Sequence, residues 1–140
     1  FEALLAQDGF LEHASVYGRY YGVPRAQAEQ ALASGKDVIV KTDVQGATTL
    51  RKKLPDALLI FLAPPDMAEL ERRLRERKSD TAEDIERRIR TATQEMVRQP
   101  EFDYVVVNPT GCLEQAVAEI EGIMAREKTR RAMESHQRQP

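Results

Sequence analysis

Short apolar runs separated by helix-forming sequence restrict the possible folds of this chain more than any other feature. The runs span residues 10–16, 37–41, 57–62 and 102–108. Strands that alternate with helical segments are typical of parallel sheets joined by crossover helices. The continuous apolar run at 57–62 is also typical of a strand in a buried parallel sheet. The sequence therefore predicts an α/β fold in which helices flank a parallel sheet.

Helix start and stop signals divide the rest of the chain. Pro24 suits a first helical position, and Asp66 has capping-box spacing to Glu69, as Thr81 has to Asp84. Apolar residues at helical spacing after Leu113 indicate an amphipathic helix. The predicted helices cover residues 1–6, 25–33, 46–53, 66–77, 82–98 and 113–126.

Length and composition predict a single domain followed by a polar tail. The chain has 140 residues, of which 41% are hydrophobic, enough for one sizeable core. We expect a domain at residues 1–126 and a polar extension at 127–140, either a frayed continuation of the last helix or disordered. The extension is locally basic, which suits a solvated end or contact with an acidic partner or nucleic acid. The formal net charge of −2 predicts no specific nucleic-acid surface in the body of the protein.

Cysteine usage and the lack of long apolar segments favour a cytoplasmic protein. Cys112 is the only cysteine, so no internal disulfide is possible and a reducing compartment is expected. No apolar run approaches the length of about 18 residues that a membrane span requires. We therefore expect no membrane association.

Two polar residues are candidates for a ligand site because they follow predicted strands. Ligands of open α/β sheets bind beyond the carboxyl ends of the strands, where Asp43 and Asn108 lie. The simpler interpretation is that Asp43 caps the following helix and that Asn108 is a turn residue before Pro109. Gln45 and Gly46, which follow Asp43, favour a functional role for it.

Arginines are unusually dense between residues 69 and 90. Arg73 and Arg77 lie four residues apart and therefore share one face of a helix, while Arg88 belongs to the next helix. Adjacent guanidinium groups repel unless an anion joins them, so the three arginines are candidates for a polyphosphate clamp. The alternative is a solvated helix face on which Glu69 pairs with Arg73.

Several motifs in this order and spacing resemble those of guanylate kinases. They cover nearly the whole chain and comprise residues 17–23 (Tyr-Gly-Arg-Tyr-Tyr-Gly-Val), 43–46 (Asp-Val-Gln-Gly), Pro64-Pro65, 70–77, Arg88 and 102–108. The resemblance implies a P-loop-kinase-like parallel sheet with flanking helices, a small β-rich GMP-binding segment and a helical lid, for which motion is expected between residues 72 and 98.

The same resemblance implies an activity and a set of site residues. The activity is transfer of the γ-phosphoryl group of ATP to GMP, which gives ADP and GDP and uses Mg²⁺. The GMP-binding residues would be Glu12, which reads guanine, and Tyr21, which hydrogen-bonds the phosphate. Lys41, at a position where the chain departs from the family, is a further GMP-binding candidate because its ammonium group would attract the phosphate. The catalytic residues would be Arg73, Arg77 and Arg88. Of these, Arg73 and Arg77 would also bind ATP, and Asn108 would lie near the adenine. Asp43 would hold the hydrated magnesium, acting through water.

Three departures from the family pattern affect these expectations. Val23 stands where the family usually has Ser or Thr, and Lys41 stands where it commonly has an acidic residue, which bears on the choice of base. The chain, which begins at Phe1, also has no Gly-rich phosphate loop, since Gly35-Lys36 follows a helix instead of preceding one. We therefore expect these 140 residues alone to have little or no kinase activity and to lack a central strand of the sheet.

Two other functions remain open. A non-enzymatic guanylate-kinase-like module that binds phosphorylated peptides would not need the phosphate loop, but it has no evident need for lid arginines. Another nucleoside monophosphate kinase with a similar lid is a further alternative, which Glu12 and the Tyr20-Tyr21-Gly22 run disfavour.

Overall fold

Helices and short strands alternate along the chain, as expected for the predicted α/β class. The computed structural model describes residues 1–16, 19–76 and 81–137, and the chain divides into two units, Phe1–Leu59 and a second that begins at Ile60. The predicted turns at residues 17–18 and 78–80, the candidate residue Arg77 and the last three residues of the tail lie outside the described residues.

An antiparallel ribbon and three helices form the first unit. Its elements are α1 (Glu2–Ala6), β1 (Phe10–Val16), β2 (Arg19–Pro24), α2 (Arg25–Ala33) and α3 (Val44–Lys53). β1 pairs with β2 so that Glu12 lies opposite Val23, with an irregularity between Phe10 and Glu12. Gly22 permits this pairing, because a Cβ there would lie 2.6 Å from the Phe10 ring. Strand β2 has no counterpart among the apolar runs of the sequence.

The core of the first unit joins the ribbon to α2 and α3. Leu11, Ala28 and Leu50 are buried and form one cluster, against which four partly buried residues pack: Val23, Val38, Val40 and Leu54. Lys53 at the end of α3 donates to the carbonyl oxygen of Phe10 at 3.0 Å. This contact and the apolar cluster hold α3 against the start of β1.

The predicted buried strand at residues 37–41 is wrong. In the part of the chain that the structure describes, this segment has no strand partner, and Ile39 is 80% exposed. Val38 and Val40 instead pack against the core cluster from an extended segment. Because β-propensity reports how well branched side chains pack, it does not guarantee a hydrogen-bonded neighbour.

A parallel strand pair with three helices forms the second unit. Its elements are β3 (Ile60–Ala63), α4 (Met67–Arg75), α5 (Ala82–Met96), β4 (Tyr104–Val107) and α6 (Leu113–Gln137), with a short 3-10 turn at Gln99–Glu101. β3 and β4 pair in parallel from Ile60 opposite Tyr104 to Ala63 opposite Val107, as the strand pattern predicts. Strand β3 has only four residues and begins at Ile60, three residues after the start of the strand predicted at 57–62.

Burial in the second unit centres on β4 and α6. Val106 is fully buried, and Ala63 on β3 and Ile123 on α6 are only 4 and 2% exposed. Leu62 and Val107 keep 53 and 45% of their surface exposed. Part of the apolar surface of this strand pair is therefore uncovered in the structure.

Helix α6 extends into the polar tail, in agreement with the helical one of the two alternatives for that segment. It continues past residue 126 to Gln137, so the described part of the tail is helical. Glu127 accepts hydrogen bonds from Arg130 one turn later and from the Tyr104 hydroxyl of β4 at 2.9 Å. Pairs at this spacing stabilise an exposed helix. Among the residues described, no helix combines the length and apolar character needed to cross a bilayer.

Candidate functional site

A buried carboxylate, Glu12, marks the candidate site of the first unit. Strand β1 carries it, and the residue is only 9% exposed. Burial raises the pKa of the Glu12 carboxyl above its usual value, the nearby Asp43 carboxylate raises it further, and His13 acts in the opposite direction. Within residues 1–16, 19–76 and 81–137, the Glu12 carboxylate forms no hydrogen bond or ion pair. The Glu12 oxygens are not among the fully buried unpaired polar atoms of the described residues, so they remain open to water and to a ligand with hydrogen-bond donors.

Gly46 makes room for that carboxylate. A Cβ placed on Gly46 would lie 1.9 Å from Thr42 Oγ1 and 3.1 Å from the carboxyl group of Glu12. Gly46 is buried in the first turn of α3, so its backbone forms one wall beside Glu12. The glycine of the Asp43-Val44-Gln45-Gly46 motif is therefore required by close packing at the site.

Asp43 has the helix-capping role that the simpler interpretation gave it. Its Oδ1 accepts from the backbone N–H of Gly46 at 2.7 Å, which caps α3. The Asp43 carboxylate also raises the pKa of the Glu12 carboxyl, so the two carboxylates are near enough to repel each other. One carboxylate oxygen is thus used by the cap, while the other oxygen, Oδ2, accepts no hydrogen bond from any described residue.

Tyr21 and Lys41 lie at the surface of the same unit. Tyr21 lies on β2 opposite Ala14 and is 53% exposed, and Lys41 is exposed in the segment before α3. Neither is bonded to Glu12 in the described part of the chain. Both side chains are therefore accessible to a ligand.

A carboxylate and an arginine organise the candidate site of the second unit. Arg73 on α4 donates from Nε to Glu69 Oε1 at 2.7 Å and from Nη2 to the carbonyl oxygen of Asn108 at 3.0 Å. Asn108 directly follows β4, and its N–H donates to the Ala63 carbonyl at 2.8 Å. Arg73 and Asn108, which are far apart in sequence, are therefore in direct contact. The predicted pairing of Glu69 with Arg73 is also present.

The other two arginines are described only in part. Arg88 lies on α5, which packs against α4; the side chain is half-buried and its Nε atom is buried. Arg88 also helps to lower the pKa of Asp84, one turn earlier on the same helix. The structure does not describe Arg77, so its place in the predicted clamp is still a prediction.

Two residues were not recognised as site residues from the sequence. Thr42 packs against Gly46 beside Glu12, and Glu69 holds Arg73. Glu69 was assigned to a capping box, and Asp66 does accept from the N–H of Glu69 at 2.7 Å. The Glu69 side chain, however, binds arginines instead of completing the box. The sequence signal for this contact was the cluster of arginines one turn after Glu69 on the same helix.

The oxygen donors of the site fit a hydrated divalent cation better than a directly bound one. No cluster of three or more His, Cys, Asp or Glu residues suited to a metal occurs in the ranges described. Mg²⁺ retains several waters and takes few protein ligands, so one uncommitted oxygen of Asp43 suffices for an outer-shell contact.

Comparison with known proteins identifies the family. A sequence model described as guanylate kinase matches residues 1–127. A guanylate kinase of Thermus thermophilus is 47% identical over 130 residues, which cover 93% of this chain and 58% of the relative. The guanylate kinase of Escherichia coli K12 is 42% identical over 93% of this chain and 62% of its own length. The chain thus spans about three fifths of the length of these relatives.

A solved structure agrees with the sequence matches. The crystal structure of guanylate kinase from Anaplasma phagocytophilum superposes with a TM-score of 0.71 at 30% identity. It covers 91% of this chain, which corresponds to 60% of the solved one. The two proteins therefore share a fold over most of the present chain.

Replacing Gly46 by alanine should destabilise the protein. The added methyl group would displace Thr42 or Glu12, and overpacking of this kind costs about 1–3 kcal/mol. The matched control is Gly122→Ala in α6, where the nearest atom to the new Cβ is Arg126 Nη1 at 3.5 Å. That change should stabilise the helix by about 0.5–1 kcal/mol. Urea unfolding measures both effects, and equal gains in stability for the two variants would refute the close packing at Gly46.

Replacing Glu12 by glutamine should stabilise the protein at pH 7. The folded state binds the Glu12 proton more tightly than the unfolded chain does, because burial raises its pKa. Stability therefore falls as pH rises from the unfolded pKa of about 4.3 through the raised folded value, and an uncharged glutamine escapes this loss. The advantage of the variant should grow between pH 4 and 7 in urea unfolding.

The control for this experiment is Glu29→Gln, which changes an exposed carboxylate on α2 of the same unit. Its effect should be small at every pH in the range. An advantage of Glu12→Gln that does not change with pH would show that burial does not affect the ionisation of Glu12.

Proposed function

Because the chain belongs to the guanylate kinase family, we propose that the protein phosphorylates GMP with ATP. An oxygen of the GMP phosphate attacks the γ-phosphorus of ATP, the bond to the β,γ-bridging oxygen breaks, and ADP leaves with that oxygen. The products are ADP and GDP. The observation that carries the proposal is the buried Glu12 carboxylate, which bonds to no other described group and lies against the Gly46 backbone.

Guanine supplies the donors that Glu12 requires. Its ring N1–H and exocyclic amino group are adjacent, so one carboxylate can accept from both. Adenine has an acceptor at N1 and no amino group at C2, and it would leave the buried carboxylate unpaired. A site built to hydrogen-bond a substrate discriminates strongly against an analogue without those donors, because its polar groups are then left unsatisfied.

The phosphate of GMP is assigned to Tyr21 and Lys41. A phenolic hydroxyl can donate one hydrogen bond to a phosphate oxygen, and an ammonium group adds a flexible positive charge. Both side chains are exposed, and both belong to the same unit as Glu12. Lys41 thus favours nucleotide binding through the phosphate, while the choice of base rests on Glu12.

The phosphates of ATP are assigned to Arg73, Arg77 and Arg88, and the adenine to the neighbourhood of Asn108. Phosphoryl transfer depends mainly on positioning and on neutralising charge on the equatorial oxygens, for which guanidinium groups are suited. Bound Mg²⁺ would contribute by neutralising the phosphate oxygens, and Asp43 would hold its waters through the oxygen that the helix cap leaves uncommitted. The contact between Arg73 and Asn108 supports a single nucleotide-binding edge in the second unit.

The domain boundaries and the cellular location of the protein are part of the same proposal. We assign the kinase domain to residues 1–126 and a polar extension to 127–140, which begins within α6. A cytoplasmic location and the absence of nucleic-acid binding remain predictions from composition.

Formation of GDP and ADP by the complete product of the gene tests this function. With ATP, GMP and Mg²⁺ we expect turnover, and alanine at Arg73 or Arg88 should lower kcat/KM by about 10²- to 10³-fold, as loss of a transition-state charge contact does. The control is Arg75→Ala on α4, where the guanidinium lies 3.9 Å from Glu71 and is 63% exposed. A well-folded protein without kinase activity that binds phosphorylated peptides would instead indicate the non-enzymatic module.

A further inference from the structure

Glu69 is a shielded and heavily engaged carboxylate that the proposed chemistry does not use. Its side chain is 13% exposed, and it accepts from Arg72 Nε and Nη2, both at 2.8 Å, as well as from Arg73 Nε. The hydrogen bonds from Arg72, together with contributions from Thr110 and Arg73, hold the pKa of Glu69 far below its usual value. Glu69 therefore links α4 to the loop that follows β4.

In the other ion pairs on α4 and α5 the carboxylate is more exposed than Glu69, even where the contact is short, as between Arg87 and Asp84 at 2.6 Å. Glu71 and Arg75 are 3.9 Å apart, and Glu86 and Arg90 are 4.0 Å apart, with side chains that are between 43 and 71% exposed. Such solvated pairs contribute little and fix no geometry. Glu69 is shielded and makes short contacts with several donors, so it can orient its partners.

The orientation of Arg73 follows from two fixed anchors. Its Nε is held by Glu69, and its Nη2 is held by the Asn108 carbonyl, whose own residue is bonded to β3. Two anchors fix the plane of a guanidinium group. Nη1 makes no hydrogen bond to any part of the chain that the structure describes, so its donors are available to a phosphate.

A carboxylate that only neutralised the charge of an arginine would weaken the binding of a phosphate to that arginine. Arg72 shares the same carboxylate through two hydrogen bonds, so Glu69 does not cancel the charge of Arg73 alone. The remaining effect of Glu69 on Arg73 is geometric.

We propose that Glu69 is a positioning residue that orients Arg73 against Asn108 for the phosphates of ATP. This inference rests on the proposed function, since it assigns Arg73 to ATP. Glu69 itself does not touch the nucleotide. Misplacement of a binding group by about 1 Å can lower catalysis up to about 100-fold, so the expected effect is large for a residue outside direct contact.

The test compares Glu69→Gln with Glu71→Gln in the complete gene product. Glutamine at 69 retains the size of the side chain and the N–H that Asp66 caps, but it loses one acceptor and the charge. We expect a rise of about 10- to 100-fold in KM for ATP or an equal fall in kcat, with KM for GMP unchanged. Glu71→Gln, which removes the same charge from the same helix, should change neither. Circular dichroism verifies that the variants remain folded.

A double-mutant cycle separates positioning from a general structural effect. If Glu69 acts through Arg73, adding Glu69→Gln to Arg73→Ala should not weaken ATP binding further. The Nε–Hε NMR signal of Arg73 provides a readout without turnover and should move in Glu69→Gln but not in Glu71→Gln.

Three outcomes overturn the inference. Equal ATP parameters for Glu69→Gln and Glu71→Gln would overturn it while leaving the kinase function intact. Additive losses in the double variant would show a structural role instead of positioning. A parent protein that binds neither ATP nor GMP would overturn both the inference and the proposed function.

Discussion

The burial of Glu12 is the constraint on which the organisation of the first unit depends. A charged carboxylate at this depth is unfavourable, and the Asp43 carboxylate adds repulsion. Its position requires the irregular pairing after Phe10, the absence of a side chain at Gly46 and the packing of α3 against β1. Packing that keeps an unfavourable carboxylate in place is expected where a ligand supplies its hydrogen-bond donors.

In the second unit, by contrast, the described charged side chains of the candidate site have partners. Its arginines are engaged by carboxylates and by backbone oxygen, as at Arg73 between Glu69 and Asn108. A guanidinium group has five donors and can be held by some of them while it offers the others. The first unit thus presents acceptors suited to a base with donors, and the second presents donors suited to phosphates. This difference is the physical reason for assigning GMP to the first unit and the phosphates of ATP to the second.

Much of the fold follows from local sequence signals, whereas the site geometry does not. Asp66 and Thr81 start helices as their spacing predicts, and residues 60–63 and 104–107 pair in parallel. Residues 37–41 have the composition of a strand but no partner within the described part of the chain, because pairing depends on which other segments are adjacent. The depth of Glu12 and the role of Glu69 were not predictable from periodicity. The first depends on an irregular strand register, and the second depends on a contact between α4 and a loop 35 residues or more away. The motif resemblance directed attention to Glu12, Arg73 and Asn108, but it did not indicate Thr42 or Glu69, whose importance comes from packing and hydrogen bonding.

The most direct test of the central claim is an NMR titration of the Glu12 carboxyl carbon, with and without GMP. In the free protein the pKa should lie above the ordinary value of about 4.3. Bound GMP should lower it, because donors from guanine stabilise the charged form, and AMP should not. A pKa that is ordinary in the free protein, or one that GMP leaves unchanged, would contradict the assignment of Glu12 as the residue that reads the base.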